Sequence, residues 1–301
     1  MIAKTVLLHK TNRTGLLFSA AWLFGTGLAS FANSSPDAAQ SRQPAYLSVN
    51  PEQILFEDSM TGNWRENWFL DGKKATLTNT DNGLYFAAGT YMYPDMENIV
   101  YEQREQMSAN HAVLWTKREF EGDIIVSYEC TRVDRSPYGV NIIYIQAQGI
   151  GTEEFPADIY EWREFRNVPG MGKYYTYMNA LHISYNVGDY RRPSYIRARR
   201  YPKNDPVGLK WGMTKLNPDY DDEGSKMLPG RTYIIEVEKR KETLIFRTFD
   251  GETNELLKEC TWDTSDIPHL MQPRVIKKGR IGFRQMSTKQ NIYKNFKVIR
   301  P

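Results

Sequence analysis

The amino-acid sequence predicts an all-β protein, a sandwich of two antiparallel sheets with two loop insertions, and three observations carry that prediction. Short runs alternate apolar and polar side chains and are rich in β-branched and aromatic residues. Turn signals separate them, as at Asp71-Gly72, Asn82-Gly83 and Asp250-Gly251. Beyond a leader and a tether, roughly 250 residues remain, which suits one sandwich domain over residues 51–301. The chain of 301 residues is 41% hydrophobic, 25% charged and 13% aromatic, which excludes collagen-like, coiled-coil and low-complexity classes.

Residues 1–32 read as a signal peptide. A basic region ends at Arg13, the apolar run from Gly15 to Phe24 follows, and Ser30-Phe31-Ala32 places small residues at the cleavage positions. Gly25, Thr26 and Gly27 interrupt the apolar run, which argues against a retained anchor, and no later stretch approaches the ~20 apolar residues of a bilayer span. The expected localisation is export, periplasmic or secreted, with no membrane attachment after cleavage. Residues 33–50, rich in Ser, Pro, Asp and Gln, read as a linker.

Strands are expected at Ile54–Asp58, Gly83–Ala88, Ala112–Phe120, Asp123–Val133, Val140–Gln148, Asn179–Tyr185, Tyr195–Arg200, Thr232–Lys239, Thr243–Asp250, Leu256–Trp262, Gly279–Met286 and Tyr293–Ile299. Segment 153–178, which begins with a short helical pattern, and the Pro/Gly/Asp-rich segment 202–230 interrupt the series as loops of lid or binding type, or as decoration.

Charge and motif content exclude several function classes. The leader holds Lys4, Lys10 and Arg13 and no acid, so the chain after it carries 36 basic and 36 acidic residues and lacks the global field of a nucleic-acid binder. Two cysteines, Cys130 and Cys260, allow a disulfide or two core thiols. With three histidines after the leader they cannot build a zinc site at the usual spacings. Gly-rich phosphate loops and the Gly-x-Ser-x-Gly elbow are absent. The acidic run Asp219-Tyr-Asp-Asp-Glu223 lacks the spacing of a calcium loop and reads as solvated.

Strand parity sorts the candidate ligand-facing residues, because alternate side chains point to opposite faces. Leu181 and Ile183 define the core side of one strand and send His182 and Ser184 the other way. Ile145 and Ala147 do the same for Tyr144, Gln146 and Gln148, and Ile196 and Ala198 for Tyr195, Arg197 and Arg199. Parity groups His111, Val113, Trp115 and Lys117 without saying which side is buried. A sheet face furnished with His, Tyr, Gln, Arg and Trp suits a carbohydrate groove, with rings for sugar faces, amides for hydroxyls and guanidinium forks for carboxylate or sulfate. Segment 191–203 holds Arg191, Arg192, Arg197, Arg199, Arg200 and Lys203 and no acid, which points to an anionic ligand, unless the arginines pair with the acids at 219–223. His111 and His182 each have a structural alternative as hydrogen-bonded core residues, and Trp115, Trp162 and Trp211 as packing residues. Asp158 and Glu161 leave open a glycosidase-type carboxylate pair.

The strings Asn179-Ala-Leu-His-Ile-Ser-Tyr185, Lys278-Gly-Arg-Ile-Gly-Phe-Arg-Gln-Met286 with Tyr293-Lys-Asn-Phe296, and His111 to Trp115 before Phe120-Glu-Gly-Asp-Ile-Ile-Val126 resemble the bacterial YesU-like family. The resemblance spans most of residues 80–300. Residues 186–230 depart from shorter family members, and the signal peptide departs from cytoplasmic ones. The resemblance implies a concanavalin A-like jelly roll and membership of polysaccharide-utilisation loci. It also implies an enzyme or binder for acidic oligosaccharides, some relatives being proposed as lyases or dehydratases on uronic-acid units such as those of ulvan. Such β-elimination needs a carboxylate clamp, a base and an acid. The expected catalytic residues are His111, His182, Tyr195 and Arg197, with Trp115, Gln146, Gln148, Asn179, Arg199 and Arg200 as substrate-binding residues. No cofactor is required, and a structural calcium ion is compatible with the resemblance. The alternatives are a glycoside hydrolase on the same fold and a non-catalytic carbohydrate-binding protein.

Overall fold

Twenty-two elements of secondary structure can be traced among the described residues, sixteen of them β-strands. The computed structural model describes residues 42–91, 100–136, 138–186, 194–202, 214–221, 226–265 and 275–301. The leader, residues 33–41 of the linker, Arg191, Arg192, Lys203, Trp211 and the acids at 222–223 lie outside the described residues.

The strands are β1 (Ile54–Asp58), β2 (Trp68–Asp71), β3 (Thr76–Thr80), β4 (Gly83–Ala87), β5 (Ala112–Thr116), β6 (Phe120–Glu121), β7 (Ile124–Arg132) and β8 (Asn141–Gly149), followed by β9 (Met178–Tyr185), β10 (Tyr195–Arg200), β11 (Tyr220–Asp221), β12 (Thr232–Arg240), β13 (Thr243–Asp250), β14 (Leu256–Asp263), β15 (Lys278–Gln285) and β16 (Gln290–Ile299). Helix α1 is Tyr101–Ala109 and α2 is Met171–Tyr177. The first sheet runs β14-β13-β12-β7-β16-β4-β3 with β1 paired to β16. The second runs β11-β10-β9-β8-β15-β5-β2 with β6 paired to β15, and the pairings of both are antiparallel. Every strand expected from the sequence falls on one of these. The expected strand Ala112–Phe120 divides into β5 and β6, and the additions are β2, the Thr-rich edge strand β3, the two-residue β11 and helices α1 and α2.

Alternation builds the core. Ile183 and Leu181 of β9, Ile143 and Ile145 of β8, and Ile281 and Phe283 of β15 face Val126 and Tyr128 of β7, Ile235 and Val237 of β12, and Tyr293 and Phe296 of β16. Aromatic packing ties the layers, with Trp68 stacked on Phe283 at 5.5 Å and Phe283 on Tyr293 at 4.5 Å between ring centroids. Cys130 and Cys260 are both buried and unbridged, and burial pushes the Cys130 thiol up. Residues 41–301 form one compact unit. Positions 42–50, part of the expected linker, lie on the first sheet: the Ala45 amide donates to Glu236 at 2.7 Å and Arg42 to Glu259 at 3.3 Å.

The second sheet's outer face positions the site, and segment 153–178 covers half of it. Phe155, Ile159, Trp162 and Tyr174 from that segment pack on Phe69, Val113, Trp115, Tyr144 and Ala147 of the sheet. One buried carboxylate latches the cover: Asp71 Oδ2 accepts from Arg166 Nε at 2.6 Å, Trp115 Nε1 at 2.7 Å and the Tyr174 hydroxyl at 3.0 Å. The cover requires a flat sheet surface beneath it. Gly282 supplies this, because a Cβ there would stand 2.4 Å from the Trp115 ring. The expected short helix at the start of the segment is absent; its helical turns are Arg163–Arg166, a 3-10 turn, and α2 at its end.

Candidate functional site

The antiparallel register sets the outer-face residues of the second sheet in rows across five strands. One row is Arg199, His182, Tyr144, Gly282 and Trp115, from β10, β9, β8, β15 and β5. The next is Arg197, Ser184, Ile142, Arg284 and Val113. The insertion covers the β5–β15 end of both rows. The β9–β10 end forms a cavity of about 280 Å³, lined by Val140, Ile142, Met171, His182, Ser184, Tyr195, Arg197, Arg199 and Met286. Met171 of α2 makes the insertion a wall of that cavity as well as a cover.

His182 is the centre of the polar side. It is buried, with its Nε2 2.6 Å from the Ser184 hydroxyl and its Nδ1 hydrogen-bonded to the Tyr201 hydroxyl. Both hydroxyls therefore flank a neutral ring, one nitrogen donating and the other accepting. Burial holds its pKa well below the ordinary 6.5, and the charges of Arg199 and Arg284 push the same way. Burial pushes Tyr201 well above the ordinary 10.0 and Tyr144 up to about 12. The row thus presents an unprotonated imidazole beside protonated phenols at neutral pH, a pairing suited to moving a proton in either direction.

The rim is cationic but unevenly so. Arg197 is engaged by Asp219 at 3.1 Å and Asp221 at 2.8 Å, and its guanidinium lies 4.0 Å from the Tyr195 ring centroid. The alternative weighed from sequence, arginines paired with the acids near 219, therefore holds for Arg197. Arg199 is partly buried, with Nη1 3.4 Å from Thr214 Oγ1. Tyr195 lines the same wall.

Of the residues singled out from sequence, His182, Tyr195, Arg197 and Arg199 come together on the cavity wall, and the others stand elsewhere. Trp115 is fully buried under the insertion, stacked on Tyr144 at 5.2 Å. Gln146 sits in a bulge with φ of 50°, where register shifts between Ile145 and Gln148, and its amide donates to the Phe120 and Gly122 carbonyls at 3.1 and 2.9 Å. The bulge corrects the parity reading of this stretch, since it moves Ala147 from the expected core side to the outer cluster. Gly279 accommodates it: a Cβ would meet the Gln146 carbonyl carbon at 2.3 Å. Gln148 and Asn179 face each other in register past the bulge, away from the cavity-lining residues. Asn179 has the parity of Leu181 and Ile183, the core side. Arg200 has the parity of Ile196 and Ala198, is fully buried and donates to the Tyr201 carbonyl. Burial lowers it to about 9. His111 lies off the cavity wall, its Nδ1 accepting from the Ser287 amide at 2.9 Å. Asp158 is held bidentate by Arg280 at 2.7 and 2.9 Å, and Glu161 is exposed, so neither lines the cavity.

Sequence reasoning missed Tyr201 as the partner of His182, and it missed Arg284. The signal for Arg284 was present, since Ile281 and Phe283 define the core side of β15 and parity sends Arg284 outward. Among the described residues no group of three His, Cys, Asp or Glu side chains could hold a metal ion, and none of their helices is long and apolar enough to cross a membrane.

Comparison with known proteins agrees on family and fold. The family model described as "Domain of unknown function (DUF1961)" matches residues 76–298. A Bacillus subtilis protein of unknown function with a galectin-like fold superposes with a TM-score of 0.56 at 19% identity, covering 82% of this chain and 96% of that one. The carbohydrate-binding module CBM66 from Bacillus subtilis gives 0.42 at 8% identity, covering 77% and 95%. A legume lectin-like domain from Entamoeba histolytica gives 0.46 at 9% identity, covering 79% and 92%. No curated protein matches. The fold is the expected jelly-roll sandwich of two antiparallel sheets.

Proposed function

The chain belongs to the DUF1961 family, and from that premise we propose that it is a carbon-oxygen lyase, cleaving or dehydrating uronic-acid-containing oligosaccharides by β-elimination in the cavity over β9 and β10. The observation that carries this reading is His182, a buried neutral base between two hydroxyls, on a wall shared with Tyr195 and Arg199. The YesU-like resemblance supports the substrate class.

Elimination breaks the C5–H and C4–O bonds of the uronate and forms a C4–C5 double bond. Arg199 on the rim is the clamp for the carboxylate, whose charge grows as the C5 proton leaves. Arg197, already neutralised by Asp219 and Asp221, contributes position more than charge. The C5 proton passes to His182, directly or through the Ser184 hydroxyl that lines the cavity beside it. Tyr195, a phenol on the same wall, delivers a proton to the departing oxygen. The products are a 4,5-unsaturated uronate and either water or the shortened chain. Calcium, compatible with the resemblance, has no described cluster of carboxylates to hold it, and no step is assigned to it.

Absence of a carboxylate from the described cavity lining favours a second reading over the hydrolase: the same pocket acting as a carbohydrate-binding site without chemistry. Absorbance at roughly 230–235 nm, where the unsaturated product absorbs, during incubation with uronate oligosaccharides including ulvan fragments separates the two. A rise with loss of one water marks a dehydratase, and a rise with chain cleavage marks a lyase. A flat trace with measurable binding leaves the binding module.

A further inference from the structure

We propose that Arg284 is a specificity-determining residue of this site, a buried cation set beneath the pocket that makes it select anionic over neutral ligands. The inference rests on the reading of the pocket as a uronate site. Arg284 is fully buried on β15, one strand from Ile142 and two from Ser184 in the same row. Its Nη2 donates to the Pro169 carbonyl at 2.6 Å, its Nε reaches the Met286 sulfur at 3.5 Å, and the neutral Tyr144 hydroxyl stands beside the guanidinium.

Among the described residues its charge has no ion-pair partner; Asp71, the acid on this side of the sheet, is bound to Arg166. The groups around it are neutral: the ring of Tyr174 on α2, 4.6 Å from the guanidinium carbon, Tyr144 on β8, Tyr201, His111 and His182. Arg199 adds a second positive charge near His182. A guanidinium in low dielectric without a counterion is costly and exerts a field that water barely screens. The field falls on the cavity, where Ile142 and Met286 on the wall separate guanidinium from ligand. A ligand carboxylate there supplies a negative charge; a neutral hydroxymethyl group does not. The same field opposes a second positive charge on His182.

Arg284→Met keeps the length and apolar stem of the side chain and removes the charge, and Arg284→Lys restores charge. Affinities of wild type and both variants are measured by calorimetry for a uronate oligosaccharide and its carboxyl-reduced counterpart, and the His182 imidazole is titrated by NMR. The preference for the uronate is expected to fall about tenfold or more in Arg284→Met and to recover in Arg284→Lys. The His182 titration should move to higher pH in Arg284→Met. Unchanged preference together with an unmoved titration overturns the proposal. If wild type binds neither sugar, the uronate reading falls and the titration alone decides: a rise upholds the field of Arg284, and none overturns it. Thermal melting identifies a misfolded Arg284→Met, in which case Arg284→Gln is titrated instead with Arg284→Lys as the charged control: a rise in Arg284→Gln alone upholds the field of Arg284, and none overturns it.

Discussion

At the residue scale the protein separates side chains that hold the sheets together from those that line the cavity. Tyr201 fixes one nitrogen of His182 and Ser184 the other. Tyr201→Phe is therefore expected to lower turnover by about 10–100-fold, as loss of an orienting partner does, with little change in melting temperature; equal turnover would mean that Tyr201 does not orient the ring. Lys289 is a residue of the opposite kind. It is fully buried in the turn between β15 and β16, its Nζ 3.7 Å from the Asp134 carboxylate. Burial, offset in part by Asp134, lowers it from 10.5 to about 7. An unfolded chain keeps an ordinary lysine, so between those values the unfolded state binds more protons and stability rises with pH. The penalty is fully present below about 7. Lys289→Met should raise stability at pH 6 by a few kcal/mol and less at pH 10, and Arg132, 3.0 Å from Asp134, keeps that acid paired in the variant. Equal melting-temperature shifts at the two pH values would contradict this account.

Legibility of the site differed from element to element. On β9 and β10 the core residues Leu181, Ile183, Ile196 and Ala198 are unambiguous, and parity alone placed His182, Ser184, Tyr195, Arg197 and Arg199 on one face. On β8 the same argument failed after Ile145, because the bulge at Gln146 inserts a residue and local sequence does not announce a bulge. The edge strand β3, Thr76-Leu-Thr-Asn-Thr80, carries too little apolar character to stand out. Trp115 looked like a sugar platform because nothing local says where a long insertion lands. The landing depends on Asp71, 95 positions away from Arg166. Removing one partner of that buried pair should cost about 3–5 kcal/mol. The double variant Asp71→Leu with Arg166→Met should lose less than either single variant, since no charge is then stranded. Denaturant unfolding checks this. Additive losses would mean that the pair does not act as one latch.

For the whole molecule, a two-sheet sandwich leaves two outer faces, and in this chain part of one of them forms a cavity. The insertion at 153–178 turns an open sheet into a walled cavity by covering the β5–β15 side, and its Met171 closes one edge. Fold alone does not choose among lyase, hydrolase and binding module, because one sandwich hosts many functions. The choice rests on the composition of the wall, an imidazole, phenol and guanidinium without a described carboxylate. The most direct test compares wild type with His182→Ala on uronate oligosaccharides, following absorbance at roughly 230–235 nm and product mass together. The predicted result is product formation by wild type and a loss of about 10²–10⁴-fold in His182→Ala, with both proteins melting alike. A His182→Ala variant that forms the unsaturated product at the wild-type rate would contradict the assignment of this pocket.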